Sequence, residues 1–255
     1  MIVVLAGTSD GRELARELNE HGYEVLLSVI SSYGAELVQA AKLPVRTGAL
    51  DEAGLKQLLL DQAVSVVVDA SHPYAANVSA NAIAACRQSH IPYIRYERPQ
   101  AQLPAYKQLH TTATATEAAR AAAALGQVVF LTIGSRTLAS FTTEPALKNH
   151  RVIARVLPDP TVISQCLGLG LQSRDIVAME GPFSHEMNVA MFRHYQAEVI
   201  VTKNSGSAGG TDTKITAAME LNLPLVVITR PAVAYGVVGH STEQIIQHIQ
   251  EVYNV

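Results

Sequence analysis

Short runs of β-branched and apolar residues recur along this chain, each followed by a stretch rich in Ala, Leu, Glu and Gln. The runs are Ile2–Ala6, Glu24–Val29, Val64–Ala70, Pro92–Tyr96, Val128–Ile133, Val152–Val156, Asp175–Met179, Glu198–Thr202 and Leu225–Thr229. The helical stretches are Gly11–His21, Asp51–Leu60, Ala75–Gln88, Ala115–Ala124, Thr161–Leu167, His185–Tyr195, Thr213–Leu221 and Thr242–Val252. Runs such as VSVVVDA at 64–70 are almost continuously apolar, as a strand buried on both faces must be. Strand then helix, repeated, predicts an α/β fold built on parallel sheets. The alternation breaks once, after Arg95-Tyr96-Glu97-Arg98-Pro99, where two prolines and no helical period follow. A domain boundary is therefore expected within 97–114, dividing the chain into 1–100 and 101–255. Each half then holds the strands of one small doubly wound sheet. The fold class expected is α/β, with two Rossmann-like doubly wound, mostly parallel sheets facing a shared cleft.

Composition narrows the classes of function. Apolar residues make up 48% of 255 and charged residues 16%, which excludes a disordered or fibrous chain. A net charge of −3 offers no general attraction to nucleic acid or acidic lipid. The two cysteines, Cys86 and Cys166, cannot form a disulfide scaffold and suit a reducing compartment. No apolar run reaches the roughly 18–20 residues of a membrane span, and the opening has no basic leader. A cytoplasmic protein without nucleic-acid or membrane partners is expected, as a monomer or weak homodimer.

Several chemistries fail on inspection. His185-Glu186-Met187-Asn188-Val189 has Val where a zinc-binding motif needs its second His, and no CxxC occurs. The Gly-rich stretch at 206–214 lacks the Gly-Lys-Ser/Thr of a P-loop, and there is no GxSxG elbow. No metal site is expected.

Other segments carry positive signals. The first strand ends in Gly7-Thr8-Ser9-Asp10-Gly11-Arg12 and runs straight into a helix. Small residues there let a phosphate approach the backbone, and the helix N-terminus favours its charge; the same residues also suit plain capping. A reader of the adenosine ribose is expected after the second strand, where an acid selects NAD and an Arg selects NADP. Ser31 and its neighbours carry neither charge, so the choice between NADH and NADPH stays open. Asp69-Ala70-Ser71-His72-Pro73-Tyr74 ends a buried strand in polar groups, with Pro73 suited to a first helical turn. That tip lies at the carboxyl edge of a sheet, where ligands of open α/β folds bind, although Ser71 or Asp69 also makes an ordinary helix cap.

Arg95 and Arg98 flank Glu97 at another strand end, either as a surface ion pair or as forks for carboxylates and phosphates. In the second half, Lys203, Asn204, Ser205 and Gly206 follow a strand, and Asp212 and Lys214 open the next helix. This donor-rich loop suits anionic oxygens. Ser135 with Arg136, Arg155, the stretch Glu180-Gly181-Pro182-Phe183-Ser184, and Arg230 add polar groups at further strand ends.

Taken in order, GTSDGR, DASHPYA with Asn81, IPYIRYERP, IGSR, EGPFS and the KNSG–GG–D–K loop resemble the precorrin-6A reductases of cobalamin biosynthesis, over nearly the whole chain. The resemblance implies NAD(P)H-dependent reduction of one macrocycle double bond, C18–C19, giving precorrin-6B or its cobalt form. In the aerobic branch an Arg commonly follows the second strand. Ser31-Ser32-Tyr33 in its place favours the anaerobic, cobalt-bearing substrate.

The substrate so implied is a flat apolar tetrapyrrole edged with carboxylates, suited to an apolar cleft with a cationic rim. Cofactor contacts are expected from Gly7, Thr8, Ser9, Asp10, Gly11, Arg12, Ser31, Ser71, His72 and Tyr74 in the N-terminal half. Substrate contacts are expected from Arg95, Arg98, Ser135, Arg136, Lys203, Asn204, Ser205, Gly206, Asp212 and Lys214. His72 and Lys203 are the candidate catalytic proton donors. Two other classes compete: a two-Rossmann nucleotide-sugar transferase, and a non-catalytic nucleotide- or carboxylate-binding module.

Overall fold

The computed structural model describes residues 1–30, 43–206 and 209–253. It forms two compact units, Met1–Pro99 with Pro231–Val255, and Gln100–Arg230.

The first unit begins with β1 (Ile2–Ala6), α1 (Ser9–Glu20), β2 (Val25–Val29), β3 (Val45–Thr47), α2 (Glu52–Asp61), β4 (Val66–Ala70), α3 (Ala76–Ser89) and β5 (Tyr93–Tyr96). Alternate residues of the buried strands face opposite helical layers. Ile2, Val4, Val66 and Val68 pack with Leu14 and Leu18 of α1, while Val3, Leu5 and Val67 meet Leu55 and Leu59 of α2 and Ala82 and Ala85 of α3. The Cys86 thiol is buried in the second layer; burial first, then the Asp69 charge, pushes its pKa up to about 12.

The second unit contains β6 (Leu109–Thr112), α4 (Ala115–Ala123), β7 (Val128–Leu131), α5 (Ala139–Thr142), β8 (Arg151–Val156), α6 (Pro160–Gly168), β9 (Ile176–Ala178), α7 (His185–His194), β10 (Val199–Lys203), α8 (Thr211–Glu220) and β11 (Leu225–Ile228). Its sheet order is β6-β11-β10-β7-β8-β9, parallel throughout. Local chemistry sets the helix starts. Thr114 and Glu117 form a capping box on α4, and Asp159 caps α6 just before Pro160. Phe130, Ile153 and Ile200 pack against Phe192 of α7 and Ile215 of α8.

The chain then returns. Pro231–Val255 carries β12 (Val237–Gly239), which pairs with β5, and α9 (Thr242–Tyr253), whose Ile245 and Ile249 complete the first core. The first sheet is therefore β12-β5-β4-β1-β2-β3, all parallel. This differs from the expected single division, which left 101–255 together. The physical reason is the open edge of β5 and the apolar stripe of α9, which find their partners in the N-terminal sheet.

Both units are doubly wound α/β sheets, and each reverses strand order beside its first central strand. In the first unit the switch lies between β1 and β4, in the second between β7 and β10. The crevice outside the carboxyl ends of such strands is where ligands bind. Among the described residues no helix is long and apolar enough to cross a membrane.

Candidate functional site

At the first switch point Gly7 is exposed and its missing side chain leaves room; a Cβ there meets only the His72 backbone nitrogen, at 3.8 Å. Thr8 caps α1 by accepting from the Gly11 N–H at 3.2 Å. Gly11 is needed for packing: a Cβ would lie 2.9 Å from the Ala70 carbonyl oxygen and 3.2 Å from the Ala6 Cβ. The helix N-terminus is thereby drawn onto the ends of β1 and β4, with exposed Gly7 and Ser9 in front of it. Open backbone at an N-terminus with no carbon in the way fits a dinucleotide phosphate. Arg12 lies half-buried on the same turn. Ser31 lies outside the described residues.

Beside this turn the β4 loop is held from beneath. Asp69, fully buried, accepts from the Ser71 N–H at 2.9 Å, the Ser79 hydroxyl at 2.6 Å and the Tyr93 hydroxyl at 2.7 Å, and pairs with Arg95 at 3.0 Å. Arg95 also donates to the Ser71 hydroxyl at 3.2 Å and to Glu97 at 2.7 Å, and its guanidinium lies 5.0 Å from the Tyr235 ring centre. Burial works against the Arg95 charge, but Asp69 and Glu97 outweigh it and hold the guanidinium more firmly protonated than usual. Burial, then Asp69, drives the Tyr93 phenol pKa upward, so it stays a donor.

The product of this network is a fixed Ser71–Tyr74 loop. Ser71 is buried, His72 and Tyr74 half-buried. His72 Nδ1 accepts from the Tyr74 N–H at 3.2 Å, which places the ring proton on Nε2.

The arginines anticipated as rim cations are engaged differently. Arg95 has no exposed surface, and Arg98 pairs with Asp10 at 2.7 Å. Burial raises the Asp10 pKa, but the hydrogen bond and charge of Arg98 outweigh it and leave the carboxyl below its ordinary value. Asp10 and Arg98, assigned by sequence to different ligands, thus meet each other.

In the second unit, the ends of β7 and β10 bring Lys203 and Arg136 into electrostatic contact. Burial first, then the Arg136 charge, pushes the Lys203 amine down to about 8. Ser135 is half-buried and Arg136 exposed. The rest of the loop is largely engaged by protein groups of its own unit. Asn204 exchanges hydrogen bonds with the Ala101 backbone at 3.0 and 2.9 Å, the Ser205 N–H donates to the Thr211 hydroxyl at 3.1 Å, and Lys214 donates to the Gly209 carbonyl at 2.7 Å. Gly206 is buried with φ +82°, and Asp212 is exposed on the first turn of α8. His185, of the failed zinc motif, lies between Thr216 and Glu220. Among the described residues no group of three or more His, Cys, Asp or Glu is placed to hold a metal.

Residues absent from the sequence-derived set include Ser79, Tyr93, Glu97 and Tyr235 around Asp69 and Arg95. The Tyr-x-Arg-x-Glu spacing of 93–97 puts Tyr93 and Arg95 on one face of β5, with Glu97 following just past its end, a period-2 signal open to sequence reading. Tyr235 arrives from more than a hundred residues away and gives no such signal.

Residues 1–252 match the family model described as Precorrin-6x reductase CbiJ/CobK. This chain belongs to that family. Among curated members, the Cobalt-precorrin-6A reductase of Priestia megaterium is 40% identical over 96% of each chain. The Precorrin-6A reductase of Rhodobacter capsulatus is 35% identical over 91% of this chain and 88% of its own. A solved structure, CobK precorrin-6A reductase, superposes with a TM-score of 0.79 at 30% identity, covering 98% of this chain and 96% of that one. Membership of the precorrin-6x reductases makes the chain an oxidoreductase, and it sets aside the sugar-transferase and non-catalytic readings.

Proposed function

We propose that this protein reduces (cobalt-)precorrin-6A to (cobalt-)precorrin-6B with NAD(P)H in cobalamin biosynthesis, as a cytoplasmic enzyme that is a monomer or weak homodimer. The observation that carries the reading is the family match over residues 1–252. The Gly7–Gly11 turn at the first switch point supports the nicotinamide cofactor.

When bound, the nicotinamide supplies the hydride. The first-turn N–H groups of α1 hold the pyrophosphate, helped by Thr8, Ser9 and Arg12. Ser71, His72 and Tyr74 orient the ribose and nicotinamide, on a loop that Asp69 and Arg95 keep rigid. Ser135, Arg136 and the 203–214 loop receive the carboxylated substrate. Either of two groups would hold the proton that completes the reduction: the Lys203 ammonium, whose lowered pKa makes it a readier donor than an ordinary lysine, or His72 as the imidazolium, which has to give up the Tyr74 N–H bond at Nδ1. The uncharged side chains at 31–33 favour the cobalt-bearing substrate.

The test is oxidation of NADH and NADPH by the purified protein with precorrin-6A, with and without cobalt. Turnover with at least one pair is expected, and His72→Asn and Lys203→Met made separately identify the donor by a fall in the chemical step with a changed pH profile. No oxidation with any pair refutes the reading.

A further inference from the structure

Arg155, second from the end of β8, is 6% exposed. Its Nη1 donates to Asn188 Oδ1 at 2.8 Å and approaches Met191 Sδ at 3.8 Å, and its guanidinium carbon lies 4.1 Å from the centre of the Phe183 ring. All three partners are neutral. Among the described residues no carboxylate comes within 4.0 Å of it, and no acceptor takes its Nε or Nη2, which keep contact with solvent. Burial accordingly pushes the guanidinium down to about 10. A buried cation without a counter-ion is costly to a fold, so its presence calls for a ligand that compensates it.

The surroundings hold this fork in place. Asn188 is fully buried, and its Nδ2 donates to the Ser184 carbonyl at 2.8 Å and the Thr213 hydroxyl at 3.2 Å, which turns Oδ1 toward Arg155. The Thr213 hydroxyl donates in turn to the Phe183 carbonyl at 2.9 Å. The Glu180–Ser184 turn and the start of α8 therefore fix the face and one edge of the guanidinium, leaving its Nε–Nη2 edge without a protein acceptor. β8 neighbours β7, so Arg155 lies at the same sheet edge as Arg136 and Lys203.

We propose that Arg155 is a carboxylate-binding residue of the second unit, its Nε–Nη2 edge donating to one acetate or propionate arm of the tetrapyrrole. This rests on the precorrin-6A reductase reading and adds a specific contact to it. Planar two-point recognition is what a pre-positioned guanidinium offers a carboxylate and a lysine does not.

The test compares full-length wild type with Arg155→Met and Arg155→Lys. It reads thermal midpoint, binding of uroporphyrin (a polycarboxylate tetrapyrrole) by fluorescence, and steady-state constants with (cobalt-)precorrin-6A. Arg155→Met should bind uroporphyrin about tenfold to a hundredfold more weakly, with the kinetic loss falling mainly on KM. Arg155→Lys should lie between. The thermal midpoint of Arg155→Met should stay close to wild type, because exchange of an uncompensated charge for apolar volume is offset by the loss of the donor to buried Asn188 Oδ1. A lowered midpoint with unaltered uroporphyrin affinity and KM overturns the proposal and makes Arg155 a structural residue. Absence of any precorrin turnover, with uroporphyrin affinity still dependent on Arg155, refutes the functional reading and leaves the carboxylate site standing.

Discussion

Asp69→Ala removes the carboxylate on which the Ser71 N–H, the Ser79 and Tyr93 hydroxyls and the Arg95 guanidinium converge. Removing one member of a buried ion pair costs about 3–5 kcal/mol, because the other charge stays behind. Glu97, still 2.7 Å from Arg95, softens that loss, whereas the two deserted hydroxyls add to it by about 1–3 kcal/mol. The balance is about 4 kcal/mol. At about 2–4 °C per kcal/mol for a chain of this size, the thermal midpoint should fall by about 8–16 °C. Asp69→Asn should fall less, since an amide oxygen still accepts from the Ser71 N–H. Adding Arg95→Met to Asp69→Ala should cost less than Arg95→Met alone, with a coupling of about 1–3 kcal/mol. Thermal and urea melts of wild type and the four variants measure this. Additive single effects, or an Asp69→Ala loss below about 1 kcal/mol, would refute the idea that this network holds the β4 loop.

Helix propensity alone favours Gly11→Ala by about 1 kcal/mol. The 2.9 Å approach to a backbone oxygen reverses the sign, so urea unfolding should show a loss of about 1–3 kcal/mol and NADPH should protect the variant less. Lys203 titrates near 8 when folded against 10.5 as a free side chain, so between those values the unfolded chain binds more protons and stability rises with pH. Melts of Lys203→Met should lack that rise, and Arg136→Gln should move its onset upward. For Asp10 the folded pKa is depressed below 3.8, so its pairing with Arg98 contributes above that pH and is lost as pH falls through the folded value. The penalty of Asp10→Asn, measured by urea unfolding, should therefore be constant above about pH 5 and shrink in more acidic solution.

The long buried strands were legible because burial on both faces leaves an unbroken apolar run. β3, β6 and β12 were not, because each has three or four residues and only Gly239 among them is buried. Leu109-His110-Thr111-Thr112 has no run to read; it becomes a strand by pairing with β11. The return of 231–255 was hidden for a related reason. Nothing in Val237-Val238-Gly239 names β5 as its partner, since that preference lies in an edge more than a hundred residues away. At the site, Gly7 and Gly11 were legible because their spacing is local to one strand–helix turn. The pairing of Arg98 with Asp10 spans the unit and was not.

Arg95 and Arg155 show where residue type stops being informative. Both end apolar strands, both are buried, and sequence reading placed both among basic groups at strand tips. Around Arg95 stand Asp69 and Glu97, and the balance leaves the charge better held than in water. Around Arg155 stand an amide, a thioether and a ring, and the charge is held less well than in water. The first guanidinium has spent its hydrogen bonds on the fold, so removing it should unsettle the β4 loop before it affects any substrate contact. The second gives the fold one hydrogen bond, to Asn188, against an uncompensated charge, and its deficit is met only when a carboxylate arrives. A large stability loss for Arg95→Met beside a small change for Arg155→Met, measured side by side, is the direct consequence.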